Sequence, residues 1–159
     1  MTLRIRAGEK TDVHLIAELI RGLARFERLE DQVTLTEEKL DHSLFGARAY
    51  AETLIADDDG EPLGFALFFH NFSTFLGRPG LYLEDLFVLP EGRGKGVGRK
   101  LLERLAQIAV ERDCGRVEWA VLAWNEDAIR FYERLGATPN RDWTIYRLTG
   151  EPLRALAGQ

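Results

Sequence analysis

Leu89-Pro90-Glu91-Gly92-Arg93-Gly94-Lys95-Gly96-Val97-Gly98-Arg99-Lys100 is the stretch whose reading settles the architecture. An apolar run from Leu81 to Leu89 precedes it and reads as a strand. The run that follows, Val97 to Arg112, places Val97, Leu101, Leu105, Ile108 and Ala109 on one side and reads as a helix. Four glycines alternate through the junction, so the backbone can turn tightly and approach a ligand closely. A helix start offers free N–H groups and the positive end of the dipole. Arg93, Lys95, Arg99 and Lys100 add positive charge around it. A solvated, flexible loop would need none of these features to coincide; together they describe a phosphate or pyrophosphate site.

Outward from this junction the elements are short. Leu3 to Arg6 reads as a first strand. Thr11 or Asp12 caps a helix with Val13, Ile16, Ala17, Ile20, Leu23 and Ala24 at a period of 3.6. Thr36 opens a second helix, with Glu37 and Glu38 in its first turn where the dipole favours them. Ala51 to Asp57 and Pro62 to Phe72 read as strands joined by a hairpin turn at Asp57-Asp58-Asp59-Gly60. Arg116 to Ala123 reads as a strand, Asn125 to Leu135 as a helix ended by Gly136, and Trp143 to Leu148 as the strand that closes the sheet. The order strand–helix–helix, three strands, helix–strand–helix–strand implies an α/β protein, α+β by some definitions, with a mixed sheet between helices on both faces.

Composition narrows the function classes. A chain of 159 residues fits one domain, residues 1–159. The net charge of −5 argues against a nucleic-acid partner and agrees with a cationic small molecule. One cysteine, Cys114, excludes an internal disulfide, and His14, His42 and His70 are scattered without metal-ligand spacing, so no metal is expected. No apolar run approaches the ~18 residues of a membrane span, and the first residues lack the apolar core of a signal peptide, so a cytoplasmic location is expected. Neither Ser43 nor Ser73 sits in a nucleophile elbow.

The phosphate motif can be sorted by elimination. No Ser or Thr follows Lys95 or Lys100 as a Walker loop requires, and a dinucleotide fingerprint started at Gly94 meets Arg99 where its last glycine should stand. What remains, Arg-Gly-x-Gly-x-Gly from Arg93 to Gly98, resembles the acetyl-CoA loop of the GNAT acetyltransferases. A second run, Asn125-Glu126-Asp127-Ala128-Ile129-Arg130-Phe131-Tyr132 through Gly136-Ala137, is similar to the second signature of that family. Asn125 stands at a helix N-cap position. The resemblance implies a GNAT-like, mostly antiparallel mixed sheet of about six to seven strands. It also implies acetyl-CoA as cosubstrate, held by Leu86, Phe87 and Val88 through the backbone, by Arg93, Gly94, Lys95, Gly96, Val97, Gly98 and Arg99, and by Asn125, Asp127, Ala128 and Tyr132.

Tyr82-Leu83-Glu84-Asp85-Leu86-Phe87-Val88 carries two carboxylates inside an apolar strand. Buried charge is costly unless paired, so they need a reason, either an ion pair with a neighbouring arginine or a cleft. Strand alternation sends Glu84 and Asp85 to opposite faces. Together with Phe26-Glu27-Arg28-Leu29 and Trp124-Asn125-Glu126, this run resembles the diamine branch of the family, spermidine/spermine-type, which also holds thialysine acetyltransferases. The resemblance covers Ile5 to about Leu148. It departs at Ala123, where polyamine-specific members carry an acid.

The chemistry implied is transfer of acetyl to a primary amine by direct attack. A lysine-like amine has a pKa of about 10.4, so at neutral pH only about one molecule in a few thousand can attack and a proton acceptor helps. Glu84 is the candidate base, with Asp85 as the alternative, and Tyr132 the candidate proton donor to the leaving thiolate. Phe26, Glu27, Glu84, Asp85, Glu118, Trp119 and Ala120 are the candidate substrate residues, and a homodimer is implied by the branch. A protein or peptide N-acetyltransferase, a non-catalytic acyl-CoA-binding module and a nucleotide-binding regulator remain as alternatives.

Overall fold

The computed structural model describes all residues, Met1–Gln159. It comprises two compact units, 1–120 and 121–159. The first unit runs β1 (Leu3–Ala7), α1 (Val13–Phe26), α2 (Glu37–Phe45), β2 (Glu52–Asp58), β3 (Glu61–Ser73), β4 (Arg78–Val88), α3 (Val97–Glu111) and β5 (Val117–Trp119). The second holds α4 (Glu126–Arg134) and α5 (Gly150–Leu156).

The strands lie in sequence order, β1-β2-β3-β4-β5. The first three pairings are antiparallel and β4–β5 is parallel. The parallel pair is reached by a crossover through α3, as a parallel connection requires. The β2–β3 turn is the two-residue loop Asp59–Gly60, both at positive φ (51° and 91°), the backbone a tight hairpin needs. The Asp57 carboxylate accepts from the Gly60 N–H at 3.0 Å and from Arg4 at 3.1 Å. Burial pushes its pKa up, but the Gly60 N–H and the Arg4 and Arg6 guanidiniums outweigh this and hold it below its ordinary value.

Helices pack on both faces of the sheet. On one, Val97, Leu101, Leu105, Ile108 and Ala109 of α3 cover Leu54, Ala56, Ala66, Phe68, Leu81 and Leu83. On the other, Ile16, Leu19 and Leu23 of α1 and Leu44 of α2 cover Ile55, Phe65, Leu67 and Phe87. All five apolar positions expected on α3 are buried. Fully burying a leucine such as Leu101 or Leu105 contributes about 1.5–3 kcal/mol.

Helices α2 and α4 start as their sequences suggest. Thr36 caps α2 by accepting from the Lys39 N–H, and Asn125 caps α4 by accepting from the Ala128 N–H at 3.3 Å. Ahead of α1 the chain forms a short 3₁₀ turn, Lys10–Asp12, in which Glu9 and Asp12 cap each other reciprocally; Asp12, not Thr11, is the N-cap residue of α1, with its carboxylate accepting from the Glu9 N–H at 2.7 Å rather than from the first turn of the helix.

Three expectations are corrected. The sheet has five strands rather than six or seven, because Trp143–Leu148 forms no strand. A strand exists only through its partner, and the second unit contains no other. The strand expected from Arg116 to Ala123 is confined to Val117–Trp119; the chain then turns, with the Asn125 N–H donating to the Leu122 carbonyl at 2.9 Å. The third concerns the faces of Glu84 and Asp85 and belongs to the site.

Candidate active site

β4 carries an irregularity at its centre. Leu83 pairs with Phe68 and Asp85 with the adjacent Leu67, so Glu84 is an extra residue with no partner in β3, a β-bulge. The bulge shifts the phase of the strand. Leu81, Leu83, Leu86 and Val88 all pack toward α3, although Leu83 and Leu86 are three residues apart. Glu84 and Asp85 therefore do not divide between the two faces. Phe87, two residues beyond Asp85, packs in the cluster under α1 and α2. Strand alternation then puts Asp85 toward the same side.

The carboxyl environment agrees with that placement. Asp85 is half-buried and its pKa is pushed up to about 7, by burial first and then by the charges of Glu84 and Glu27. Glu27 follows the last residue of α1, and burial pushes its pKa up as well. Three acidic side chains from the end of α1 and the bulge thus act on one region, and burial and like charge both raise Asp85. Tyr82 is raised by burial and by the charges of Glu84 and Glu118.

The bulge also decides which backbone groups leave the sheet. The Leu81 N–H donates to the Arg116 carbonyl at 3.0 Å, toward β5. Past the bulge, the Leu89 N–H donates to the Leu63 carbonyl at 2.8 Å, toward β3. Alternation back from Leu89 turns Phe87 and Asp85 to β3 and leaves Leu86 and Val88 facing the opposite edge. Pairing with β5 stops at Leu83–Trp119, so this edge has no neighbouring strand. Of the three backbone positions expected to hold a pantetheine arm, Leu86 and Val88 thus present polar groups. Phe87 spends its own on the sheet and contributes its ring to the core. The Val88 carbonyl accepts from Arg93 Nε at 3.0 Å.

The glycine-rich loop closes one end of that edge. Gly92 is buried where a Cβ would meet Val88 at 3.0 Å and Leu63 at 3.2 Å. Gly94 and Gly96 adopt φ of 74° and 79°, with nothing within 4 Å of where a Cβ would stand. Gly96 is the N-cap of α3 and offers no side chain to the first-turn N–H groups. Those amides and the open loop backbone suit an anionic group such as a pyrophosphate. Lys95 is exposed beside it, whereas Arg99 and Lys100 both pair with Glu103, at 3.0 and 2.8 Å.

Glu118 on β5 is engaged by Asn71 Nδ2 and Arg116 Nε, each at 3.1 Å. Trp119 packs against the α3-side core and Ala120 is exposed. Within the second unit, the Phe131 and Tyr132 rings on α4 lie tilted with centroids 5.5 Å apart, and Asp127 pairs with Arg130 at 2.5 Å. The bulge itself escaped the sequence reading. Its signal is present all the same: an apolar period of two, Leu81 and Leu83, interrupted by a step of three to Leu86 and Val88.

A bulged inner strand, an unpartnered strand edge and a glycine loop opening a helix together define an acyl-CoA transferase fold, and the comparison with known sequences agrees. The profile of the Acetyltransferase (GNAT) family matches residues 16–137, and the chain belongs to this family. It is an N-acetyltransferase. It is 39% identical over 166 residues to a thialysine N-epsilon-acetyltransferase of Bos taurus, covering 98% of this chain and 97% of that one. It is 34% identical over 201 residues to an L-ornithine N5-acetyltransferase of Arabidopsis thaliana, covering 98% and 88%. Among solved structures, an integron cassette protein from the mobile metagenome of V. cholerae superposes with a TM-score of 0.83 at 29% identity, covering 100% and 99%.

Proposed function

We propose that the whole chain, residues 1–159, works as one acetyltransferase domain that acetylates a primary amine of a small di- or polyamine or an amino-acid-like amine. The relatives that act on thialysine and ornithine favour the amino-acid-like amines, as does Ala123 in place of an acid. The observation that carries the reading is the acidic trio Glu27, Glu84 and Asp85, gathered by the bulge beside an open strand edge. A substrate with a second cationic group some distance from its reacting amine is the natural complement of such a region.

Acetyl-CoA supplies the activated acetyl group as a thioester. The chain's part is to hold it and to manage protons. The backbone of the loop from Gly94 to Gly98 and the start of α3 fit the pyrophosphate, with Lys95 as an exposed cation beside them. The outward groups of Leu86 and Val88 address the arm, and the Leu86 N–H is the donor for the oxygen on which negative charge develops. In the second unit, Asn125, Asp127 and Ala128 are the residues that the family resemblance assigns to the cofactor. Glu84, exposed at the bulge, accepts the amine proton through water, while Asp85 and Glu27 hold the distal cation, with Phe26, Glu118, Trp119 and Ala120 as further lining. Tyr132 protonates the departing thiolate through its phenol O–H. The enzyme acts in the cytoplasm as a homodimer.

The test is free-thiol release from acetyl-CoA across thialysine, lysine, ornithine, spermidine, putrescine, an aminoglycoside and a basic peptide. Release with the small amines, strongest with thialysine or ornithine, is expected. Release only with the peptide, or none with coenzyme A still bound tightly, overturns the assignment.

A further inference from the structure

Arg93 occupies the first position of the glycine loop, where a basic side chain invites the reading of a phosphate ligand. Its geometry says otherwise. The guanidinium lies over the Phe26 ring at 5.1 Å and over the Phe87 ring at 5.8 Å. Nε donates to the Val88 carbonyl at 3.0 Å, and the Arg93 amide donates to the Pro90 carbonyl at 3.3 Å. The two rings are themselves in contact, with centroids 6.4 Å apart. Phe87 in turn packs against α1 at Gly22, where a Cβ would come within 3.0 Å of the ring. One side chain therefore joins the loop, the end of β4 and the last residue of α1. The next residue along is Glu27, one of the carboxylates that act on Asp85.

We infer that Arg93 is a positioning residue for the amine side of the site: it ties the cofactor loop to Phe26 and thereby sets where Glu27 stands relative to Asp85. The inference rests on the amine-acetyltransferase reading for its kinetic consequence, but the tie itself does not. Lysine cannot replace arginine here. It keeps the charge but loses the planar face that stacks on two rings and the Nε–H that reaches Val88. A phosphate ligand would show the opposite pattern, since a lysine serves a phosphate well as a point charge.

Arg93→Lys and Arg93→Gln are measured for amine KM by thiol release and for coenzyme A affinity by calorimetry. Both are expected to raise the amine KM fivefold or more, with kcat changed less than threefold and coenzyme A affinity kept within twofold. In a Glu27→Gln background, Arg93→Lys is expected to add no further rise, because the group it positions is gone. Tenfold weaker coenzyme A binding in Arg93→Gln that Arg93→Lys restores overturns the inference, as does an unchanged amine KM. Should the wild-type protein acetylate none of the amines, the functional assignment fails separately. The tie is then read from thermal unfolding of Arg93→Gln, Phe26→Leu and the double variant. Sub-additive shifts in Tm support it and additive shifts overturn it.

Discussion

Asp85→Asn gives a pH-dependent stability signature with a calculable sign. The Asp85 carboxyl sits at about 7 in the folded protein against an ordinary value of 3.8, raised by burial and by Glu84 and Glu27. Between these two values the folded state binds the proton and the unfolded state does not, so stability falls as pH rises across this window. The penalty is absent below about pH 4 and complete above about pH 7. At about 1.4 kcal/mol per unit, a shift of this size corresponds to a ceiling of about 4 kcal/mol. Because Asp85 is only half-buried, relaxation and water bring the expected difference to about 1–3 kcal/mol. Asparagine has nearly the same shape and cannot ionise. Urea unfolding of wild type and variant at pH 4, 6 and 8 should show near-equal stability at pH 4 and a growing advantage for Asp85→Asn toward pH 8. A gap that does not vary with pH, or a variant less stable at pH 8, refutes the idea that Asp85 is held against its charge. The same variant should lose affinity for dicationic amines at pH 8, which separates the cost of the carboxylate from its use.

Gly96→Ala forces an L side chain into φ of 79° at the start of α3, at a cost of about 1–2 kcal/mol, so Tm should fall by about 2–8 °C and coenzyme A should bind more weakly in calorimetry. Leu101→Ala removes a fully buried side chain from the α3-side core and should cost about 2–5 kcal/mol in urea unfolding, with coenzyme A binding retained under folding conditions. Tyr132→Phe should lower turnover about 10²-fold or more in the thiol assay while coenzyme A affinity stays within about twofold; full activity would remove Tyr132 from the chemistry.

The parts of the fold that follow from local pattern were legible in the residues. The 3.6 period of α1 and α3, the Asp59–Gly60 hairpin and the Asn125 cap all depend on neighbours within a few positions, and each stands where its sequence points. What the sequence did not disclose depends on partners far along the chain. Trp143–Leu148 has strand-like composition but no ladder to join within its unit. β5 is only as long as the segment of β4 it pairs with, which ends at the bulge. Arg93 and Lys95 are both exposed basic residues of one glycine loop, yet only Arg93 lies over aromatic rings and bonds the Val88 carbonyl. The difference comes from Phe26, far away in sequence, and from the Val88 carbonyl that the bulge turns outward. The glycine loop and the carboxylates were visible as residue types; that Glu27, Glu84 and Asp85 meet is a product of the strand's phase.

That phase makes the strand behave like a reading frame. Leu81 and Leu83 are set by pairing with β5, and everything after Glu84 is read one place later than simple alternation would give. Losing Glu84 would remove the bulge and leave Leu83 opposite Phe68 and Asp85 opposite Leu67, so the residues that follow would keep their faces and only the exposed carboxylate would go. Regularising the strand with Glu84 retained would do the opposite. Asp85 and Phe87 would turn into the α3-side core, the Leu86 N–H would be drawn into the ladder with β3, and the Val88 carbonyl would no longer meet Arg93. The extra residue is thus an insertion that the ladder absorbs at one place, adding a carboxylate at the edge while the frame on either side of it is preserved.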